Sequence, residues 1–180
     1  MNTYILLLRG INVSGQKKIL MADLKQNLSE LGYANIKTYI QSGNLVFQSE
    51  KSGIKSLQDE IEQKIFDTHG FEVKAFIILP EDLQEIIQNN PFIEDMEKDV
   101  KRTYFTFLSK EPDSIESIDA SKYPDEEFRL QGKTIYFYSA IGYGNAKMNN
   151  NFFEKKLGLT ATTRNWNTCN KLIEMSRENQ

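Results

Sequence analysis

The sequence contains one cysteine and one histidine among its 180 residues. An internal disulfide needs two cysteines and a tetrahedral zinc site needs several cysteine or histidine ligands, so both are excluded. The histidine, His69, lies at the predicted end of a helix, where a cation favours the helix dipole. A Ser-His-Asp triad would depend on this residue, and no Gly-x-Ser-x-Gly elbow is present. We therefore expect no metal, no cofactor and no histidine-based catalysis.

Long apolar runs are also missing. The longest runs, at residues 4–8 and 75–79, have the length of a strand and are far too short to span a bilayer. Residues 1–4 carry no basic cluster, which argues against a secretory signal peptide. A lone cysteine, Cys169, fits a reducing compartment. We expect a cytoplasmic protein without a membrane partner.

The net charge is small, but the charges are unevenly distributed. The chain carries a formal net charge of −3. Residues 81–127 contain five basic and fourteen acidic side chains, whereas residues 128–180 contain eight basic and three acidic ones. The loop near the start of the chain adds Arg9, Lys17 and Lys18 without an acid between them. This asymmetry indicates either an anionic partner or ordinary solvated faces.

Residues 1–80 show strand and helix signals in the order βαββαβ. Apolar runs and alternation predict the strands, and apolar residues at helical spacing predict the helices. This is the order of the ferredoxin-like fold, or alpha-beta plait, with an antiparallel sheet and two helices on one face. The predicted strands are residues 4–8, 35–40, 44–49 and 72–79, and the predicted helices are residues 21–31 and 54–69. The expected core contains Leu6, Leu24, Leu28, Ile61 and Ile65.

Residues 81–180 are less regular, with a predicted order of αβαββαα. The order favours a second, plait-like α/β unit packed on the first, so the predicted fold class is α+β with domains at residues 1–80 and 81–180. The predicted elements are a short helix near residues 83–88, a strand at 102–108, a short helix within 111–120, a hairpin at 127–139, a helix at 147–157, and a last helix from about Thr163.

Three motifs occur in order along the chain. They are LRGINVSG at residues 8–15, TYIQSGN at residues 38–44 and TRNWNTCNKL at residues 163–172. Together they resemble the bacterial family catalogued as domain of unknown function 1697, over essentially the whole chain. The resemblance implies two plait-like α/β units in one protein, and it supplies no activity, substrate or catalytic residue. Ser14 departs from the family loop, which often has a glycine at that position.

The loop after the first strand is the most suggestive candidate site. Gly10 and Gly15 have the spacing of a phosphate-binding P-loop, but Gln16 stands where that motif requires lysine. Backbone N–H groups in such a turn, together with the three basic residues of the loop, can hold a phosphate or a carboxylate. The alternative is a flexible basic loop without a ligand.

Gln41 and Asn44 flank a polar turn between two predicted strands. Gly43 meets the backbone requirement of a tight turn, but the two amides need a separate explanation. They hold either the first loop at Asn12 or a ligand. We favour a hydrogen-bonded strut that positions the first loop.

Arg164, Asn165 and Trp166 form a second candidate region. Thr163 is the predicted N-cap of the last helix, which places Arg164 in the first turn, where a cation opposes the helix dipole. This position favours an anion-binding role, although pairing with an acidic side chain explains it equally well. Trp166 either stacks on a base or belongs to the core. We expect this region to border the same concave surface as Arg9 or Lys17.

These candidates favour a binding module for a small anionic ligand that bears phosphate or carboxylate, a nucleotide being one example. The alternatives are an enzyme that acts on a phosphorylated small molecule and a structural or protein-interaction module without a ligand. Nucleic acid is a less favoured partner, because the sequence pI is about 5.4 and residues 42–47 lack the aromatic spacing of the RNA-recognition motif. The candidate binding residues are Arg9, Asn12, Lys17, Lys18, Gln41, Asn44, Arg164, Asn165 and Trp166.

Overall fold

A computed structural model describes residues 1–178 of the chain. Over that range the chain forms eight β-strands and five α-helices. The strands are β1 (Asn2–Arg9), β2 (Ala34–Tyr39), β3 (Asn44–Ser49), β4 (Lys74–Ile78), β5 (Thr103–Leu108), β6 (Glu126–Gln131), β7 (Thr134–Ser139) and β8 (Ala161–Asn165). The helices are α1 (Met21–Glu30), α2 (Ile54–His69), α3 (Pro80–Gln88), α4 (Asn150–Leu157) and α5 (Trp166–Arg177). No helix in this range has both the length and the apolar character needed to cross a bilayer.

The described chain divides into two compact units. Unit 1 comprises residues 1–84 and 171–178, and unit 2 comprises residues 85–170, so the divisions fall within α3 and α5. Residues 171–178 follow the predicted second half in sequence but group with unit 1. There, Glu178 forms an ion pair with Lys37 at 2.9 Å. The assignment of residues 1–80 and 81–180 to separate domains stays a prediction.

Strands β1 to β4 of unit 1 form a four-stranded antiparallel sheet in the order β2-β3-β1-β4. β1 takes a central position because residues 4–8 are apolar and are buried on both faces of the sheet. Leu6 lies opposite Leu45 of β3 and Ile77 of β4. The predicted antiparallel sheet of unit 1 is confirmed.

Helices α1 and α2 share one buried cluster with a single face of this sheet. The cluster contains Tyr4, Leu6 and Leu8 of β1, Leu24 and Leu28 of α1, and Leu57, Ile61 and Ile65 of α2. Burying each such side chain contributes about 1.5–3 kcal/mol. Ile11 and Ile19 belong to the same cluster, although they lie in the loop between β1 and α1. Both ends of that loop are therefore anchored in the core.

Strands β5 to β8 of unit 2 form a second antiparallel sheet in the order β6-β7-β5-β8. Numbered within each unit, the strands of both sheets follow the same order, 2-3-1-4. Phe153 of α4 packs in a buried cluster with Ile135, Phe137 and Ala161 of the sheet. The predicted hairpin of β6 and β7 around Gln131 is confirmed.

The beginning of the last helix corrects the sequence-based expectation. Thr163 is not the N-cap but lies in β8, where its Oγ1 is 2.8 Å from that of Thr106. α5 begins at Trp166, and the Asn165 Oδ1 accepts a hydrogen bond from the Thr168 N–H at 2.8 Å. Threonine is favourable both in a strand and as an N-cap, and pairing with β5 decides between them here. Arg164 is therefore a strand residue, and its predicted opposition to the helix dipole was wrong.

Residues 111–120 differ from the short helix that the sequence predicts for them. This described segment contains turns and bends but no α-helix. A single 3-10 turn follows it at Ala120–Lys122, where the Asp119 side chain accepts from the Ser121 N–H at 3.2 Å. Ile115 and Ile118 of this segment pack against the core of unit 2. Two apolar residues span a single turn, and so short a helix is only marginally stable.

Candidate functional site

The loop of residues 10–20 joins β1 to α1 and has an unusual backbone conformation. Five of its residues have a positive φ, namely Gly10 at 70°, Asn12 at 56°, Ser14 at 49°, Gly15 at 75° and Lys17 at 44°. Glycine adopts this region freely and asparagine tolerates it, whereas serine and lysine each lose about 1–2 kcal/mol there. Contacts that hold the loop must offset this strain.

The Asn12 side chain supplies three of those contacts. Its Nδ2 donates to the carbonyl oxygens of Ile19 at 2.9 Å and Gln41 at 2.7 Å, and its Oδ1 accepts from the Ile19 N–H at 2.9 Å. The Asn12 N–H also donates to the Lys17 carbonyl oxygen at 3.2 Å. Asn12 thus joins the loop to the turn between β2 and β3. It acts as the strut itself, and its amide is occupied within the protein.

The turn between β2 and β3, residues 40–43, is packed against the end of β1. The Leu8 N–H donates to the Gly43 carbonyl oxygen at 2.8 Å. A Cβ atom on Gly43 would lie 2.7 Å from the Leu8 Cβ and 3.0 Å from the Ile11 Cδ1, so a side chain does not fit. Asn44 is fully buried, and its Nδ2 donates to the Ser42 Oγ at 2.8 Å. Asn44 therefore stabilises the turn and is not accessible to a ligand.

The loop, the first turn of α1 and the turn at residues 40–43 line a groove of about 400 Å³. Three lining side chains form no hydrogen bond or ion pair with residues 1–178: the Lys18 ammonium, the Asp23 carboxylate and the Gln41 amide. Leu20, which is 71% exposed, and Met21 provide apolar surface. The complete lining is Asn12, Gly15, Lys18, Ile19, Leu20, Met21, Asp23 and Gln41.

The groove also includes the N-terminus of α1. Leu20 is the N-cap residue, and it supplies no side-chain hydrogen bond to the helix. The first N–H groups of an α-helix have no partner within the helix, and the helix dipole makes this end partly positive. An anion beside Lys18 would interact favourably with the Lys18 ammonium and with the free N–H groups of α1. Asp23, in the first turn of α1, already benefits from the same dipole.

The other two basic residues of this region have different environments. The Lys17 ammonium donates to the Glu72 carbonyl oxygen at 2.7 Å. Arg9 ends β1, where its backbone pairs with Lys74 of β4. Neither residue lines the groove. Of the three basic residues predicted for a site in unit 1, Lys18 alone is a lining residue.

The remaining candidates, Arg164, Asn165 and Trp166, lie in unit 2. The Arg164 Nη1 donates to the Thr162 Oγ1 and to the Thr163 carbonyl oxygen, both at 2.8 Å, and burial lowers the pKa of Arg164 to about 10. Asn165 caps α5, as described above. The Trp166 ring stacks on Phe105 with a centroid distance of 6.1 Å. Asn165 and Trp166 thus have structural contacts, and a surface shared with the loop of unit 1 stays a prediction.

The two residues with the greatest catalytic potential by type are engaged in packing. Cys169 is fully buried, and burial raises the pKa of its thiol to about 12. His69 is the last residue of α2, as expected, and its Nε2 lies 2.9 Å from the Asn27 Nδ2. Within residues 1–178, no three histidine, cysteine or acidic side chains are grouped closely enough to hold a metal ion.

Four lining residues of the groove were not among the residues predicted from the sequence, namely Ile19, Leu20, Met21 and Asp23. Asp23 carries a usable signal, because an acid in the first turn after a basic loop places opposite charges close together in sequence. Leu20 also stands out, since an apolar residue at an N-cap is unfavourable for the helix and suggests another role. The exposure of Leu20 depends on the loop conformation, which sequence alone does not provide.

Comparisons with known proteins give a family and a structural neighbour. A family model described as Protein of unknown function (DUF1697) matches residues 1–136, a range that includes the whole groove. No curated protein matches the chain. The chain is similar to the solved structure of the conserved bacterial protein SP0830 from Streptococcus pneumoniae, with 28% sequence identity and a TM-score of 0.70. The similarity covers 96% of this chain and 97% of that chain.

Proposed function

This chain belongs to the family described as Protein of unknown function (DUF1697), and we propose that it binds a small anionic ligand in the groove of unit 1. One observation carries the proposal. Lys18 is exposed, lines the groove beside the uncapped N-terminus of α1, and has no hydrogen bond or ion pair within residues 1–178. A phosphate or carboxylate at this position would accept hydrogen bonds from both the ammonium and the helix N–H groups.

The lysines of unit 1 differ in their partners, and this difference supports Lys18 as the residue that binds the anion. Most of them form ion pairs with acidic side chains, namely Lys37, Lys51, Lys55, Lys64, Lys74 and Lys171. Lys17 donates to a backbone carbonyl oxygen. Lys18 and Lys25 have no such contact within the described residues. Only Lys18 of these two lines the groove, and Lys25 provides a matched control on α1.

The backbone of the groove is positioned before a ligand binds. Asn12 ties the loop to Ile19 and to the carbonyl oxygen of Gln41, so the two walls are connected by hydrogen bonds. Ile11 and Ile19 are buried in the core at either end of the loop. A preorganised site binds more tightly because less conformational entropy is lost on binding.

The charge of the groove favours a small ligand over a polyanion. The groove contains one ammonium, from Lys18, and one carboxylate, from Asp23. The whole chain has a net charge of −3. Nucleic-acid surfaces instead carry many basic residues that each contact a phosphate. A single anionic group beside Lys18 is therefore a better match than a nucleic-acid strand.

We also propose that unit 1 adopts the ferredoxin-like plait and that unit 2 is a variant of it. The shared 2-3-1-4 strand order supports this assignment, as does the packing of α1 and α2 on one face in unit 1. In unit 2 the segment between β5 and β6 lacks an α-helix at the position that α1 has in unit 1. A cytoplasmic location fits the single, buried Cys169.

The proposal is tested by calorimetric titration with phenyl phosphate, a small aryl phosphate, at low salt. We expect the wild-type chain to bind the probe and Lys18→Gln to bind it at least about tenfold more weakly, since a charged hydrogen bond contributes about 1.5–3 kcal/mol. Lys25→Gln should bind like the wild type, and neither variant should change the unfolding midpoint appreciably. Equal binding by both variants, or no binding by the wild type, would show that Lys18 does not form an anion site.

A further inference from the structure

Apart from Lys18, the groove presents a carboxylate, a side-chain amide and an apolar surface. The Asp23 carboxylate and the Gln41 side-chain amide form no hydrogen bond or ion pair within residues 1–178, and Met21 is packed in part against the core of unit 1. The Asp23 carboxylate accepts hydrogen bonds and cannot donate them. The Gln41 side-chain amide can both donate and accept, because its backbone carbonyl, not its side chain, binds Asn12. Leu20 and Met21 form an apolar surface beside these groups. A ligand that satisfies only Lys18 would leave most of the groove unused.

Asp23 restricts what can bind next to the anionic group. A phosphate oxygen close to this carboxylate would be repelled, since both carry negative charge. The part of the ligand that faces Asp23 must therefore bring hydrogen-bond donors. A pair of neighbouring hydroxyl groups meets this requirement, and carboxylates commonly bind the hydroxyls of ribose in this manner.

The apolar surface and the amide restrict the rest of the ligand. Leu20 is 71% exposed and therefore offers apolar surface that a flat or apolar group can cover favourably. Met21 is partly buried against the core, and a methionine thioether makes favourable contacts with aromatic rings. The Gln41 amide can pair with a group that displays a donor and an acceptor side by side, as the edge of a nucleobase does. A groove of about 400 Å³ lies within the size range of small-ligand sites.

We infer that the groove binds a ribonucleoside monophosphate, an inference that rests on the proposed anion-binding function. The phosphate lies at Lys18, the ribose hydroxyls donate to Asp23, and the base lies against Leu20 and Met21 with its edge at Gln41. Simple phosphates lack the apolar body, sugar phosphates lack the base, and aryl phosphates lack the donors. An apolar amino acid would use Lys18 and Asp23 but would leave Gln41 without a partner.

Titrations with adenosine monophosphate, its 2′,3′-dideoxy analogue, phenyl phosphate and phenylalanine test this inference on the full chain. We expect adenosine monophosphate to bind about tenfold more tightly than either the dideoxy analogue or phenyl phosphate, the effect of one or two hydrogen bonds to a charged acceptor. Asp23→Asn should remove this advantage, whereas phenyl phosphate should bind the variant at least as tightly as the wild type, because a negative charge is lost from the groove; this binding also shows that the variant is folded. Leu20→Ala removes apolar surface without supplying a side-chain cap to α1, and as a second, independent variant it should weaken the binding of adenosine monophosphate several-fold.

The outcomes separate the inference from the proposed function. If phenyl phosphate binds in a Lys18-dependent manner and the nucleotide binds no more tightly, the ribonucleotide assignment is overturned and the anion site stands. A tenfold advantage that survives Asp23→Asn also overturns the assignment, as does binding of phenylalanine that requires both Lys18 and Asp23. If no phosphate compound binds in a Lys18-dependent manner, the proposed function itself fails.

Discussion

Replacing Asn12 should destabilise the loop of residues 10–20 by an amount that can be divided into two parts. The first part is the loss of the three side-chain hydrogen bonds to Ile19 and Gln41. Each contributes about 0.5–1.5 kcal/mol net, and because the site is only partly buried and water can replace some of them, we expect about 2 kcal/mol in total. The second part is the φ of 56°, which adds about 1 kcal/mol for a residue with a Cβ other than asparagine.

Two substitutions at Asn12 separate these parts. Asn12→Gly removes the side-chain amide, but glycine adopts a positive φ without strain, so the free energy of unfolding should fall by about 2 kcal/mol. Asn12→Ala removes the amide and also adds the backbone strain of a positive φ, so the free energy of unfolding should fall by about 3 kcal/mol. Ser14→Gly provides the matched control, since Ser14 has a φ of 49° without a comparable side-chain clamp. That variant should be stabilised by up to about 1 kcal/mol.

The assay must report on unit 1. The single tryptophan, Trp166, lies in unit 2, so its fluorescence is not suitable. Urea unfolding is instead followed by hydrogen exchange and mass spectrometry of peptides that cover the loop and β1. If the free energy of unfolding of Asn12→Gly lies within about 0.5 kcal/mol of the wild-type value, the Asn12 side chain does not hold the loop, and the groove is not preorganised by it.

Three further predictions concern other contacts. Gly43→Ala should lower the free energy of unfolding in urea by at least about 2 kcal/mol, because the new Cβ would lie 2.7 Å from the Leu8 Cβ at a positive φ. A decrease of less than about 0.5 kcal/mol would contradict the packing of this turn. Asn165→Ala should lower the free energy of unfolding by about 1 kcal/mol, because the Thr168 N–H loses its hydrogen bond to the Asn165 side chain. Unfolding in urea is followed by tryptophan fluorescence, and an unchanged unfolding midpoint would contradict a helix start at Trp166. Burial raises the pKa of the Cys169 thiol to about 12, so the thiol of the native chain stays protonated at pH 8. It should therefore react with iodoacetamide far more slowly in the native chain than in the urea-unfolded chain, and equal rates would mean that the thiol is exposed.

Much of unit 1 was predictable because its signals are local. The helix ending at His69 has apolar residues at helical spacing and a following glycine, Gly70, whose left-handed conformation closes it. The β2–β3 hairpin has alternating apolar residues around Gly43. β8 was missed because its threonines suit a strand and a helix cap equally well. Only pairing with β5, more than fifty residues earlier, decides the outcome.

The groove was predicted only in part, and the physical reason is clear at two neighbouring lysines. Lys17 and Lys18 are equivalent in sequence, but the left-handed conformation of Lys17 accompanies a contact of its ammonium with the carbonyl oxygen of Glu72. This contact spans 55 residues and leaves Lys18 beside the groove. Gln41 and Asn44 differ in the same way, since the first is exposed and the second is buried. Sequence patterns identify such residues but do not assign them to a surface.

The most direct test of the central claim is a titration of the isotopically labelled chain with inorganic phosphate, followed by amide chemical shifts in NMR spectra. We expect saturable shifts at residues 18–23 and at Gln41, which disappear in Lys18→Gln and persist in Lys25→Gln. Shifts centred on Arg164 with none in the groove would place the anion site in unit 2. Such a result would contradict the assignment of the site to the groove.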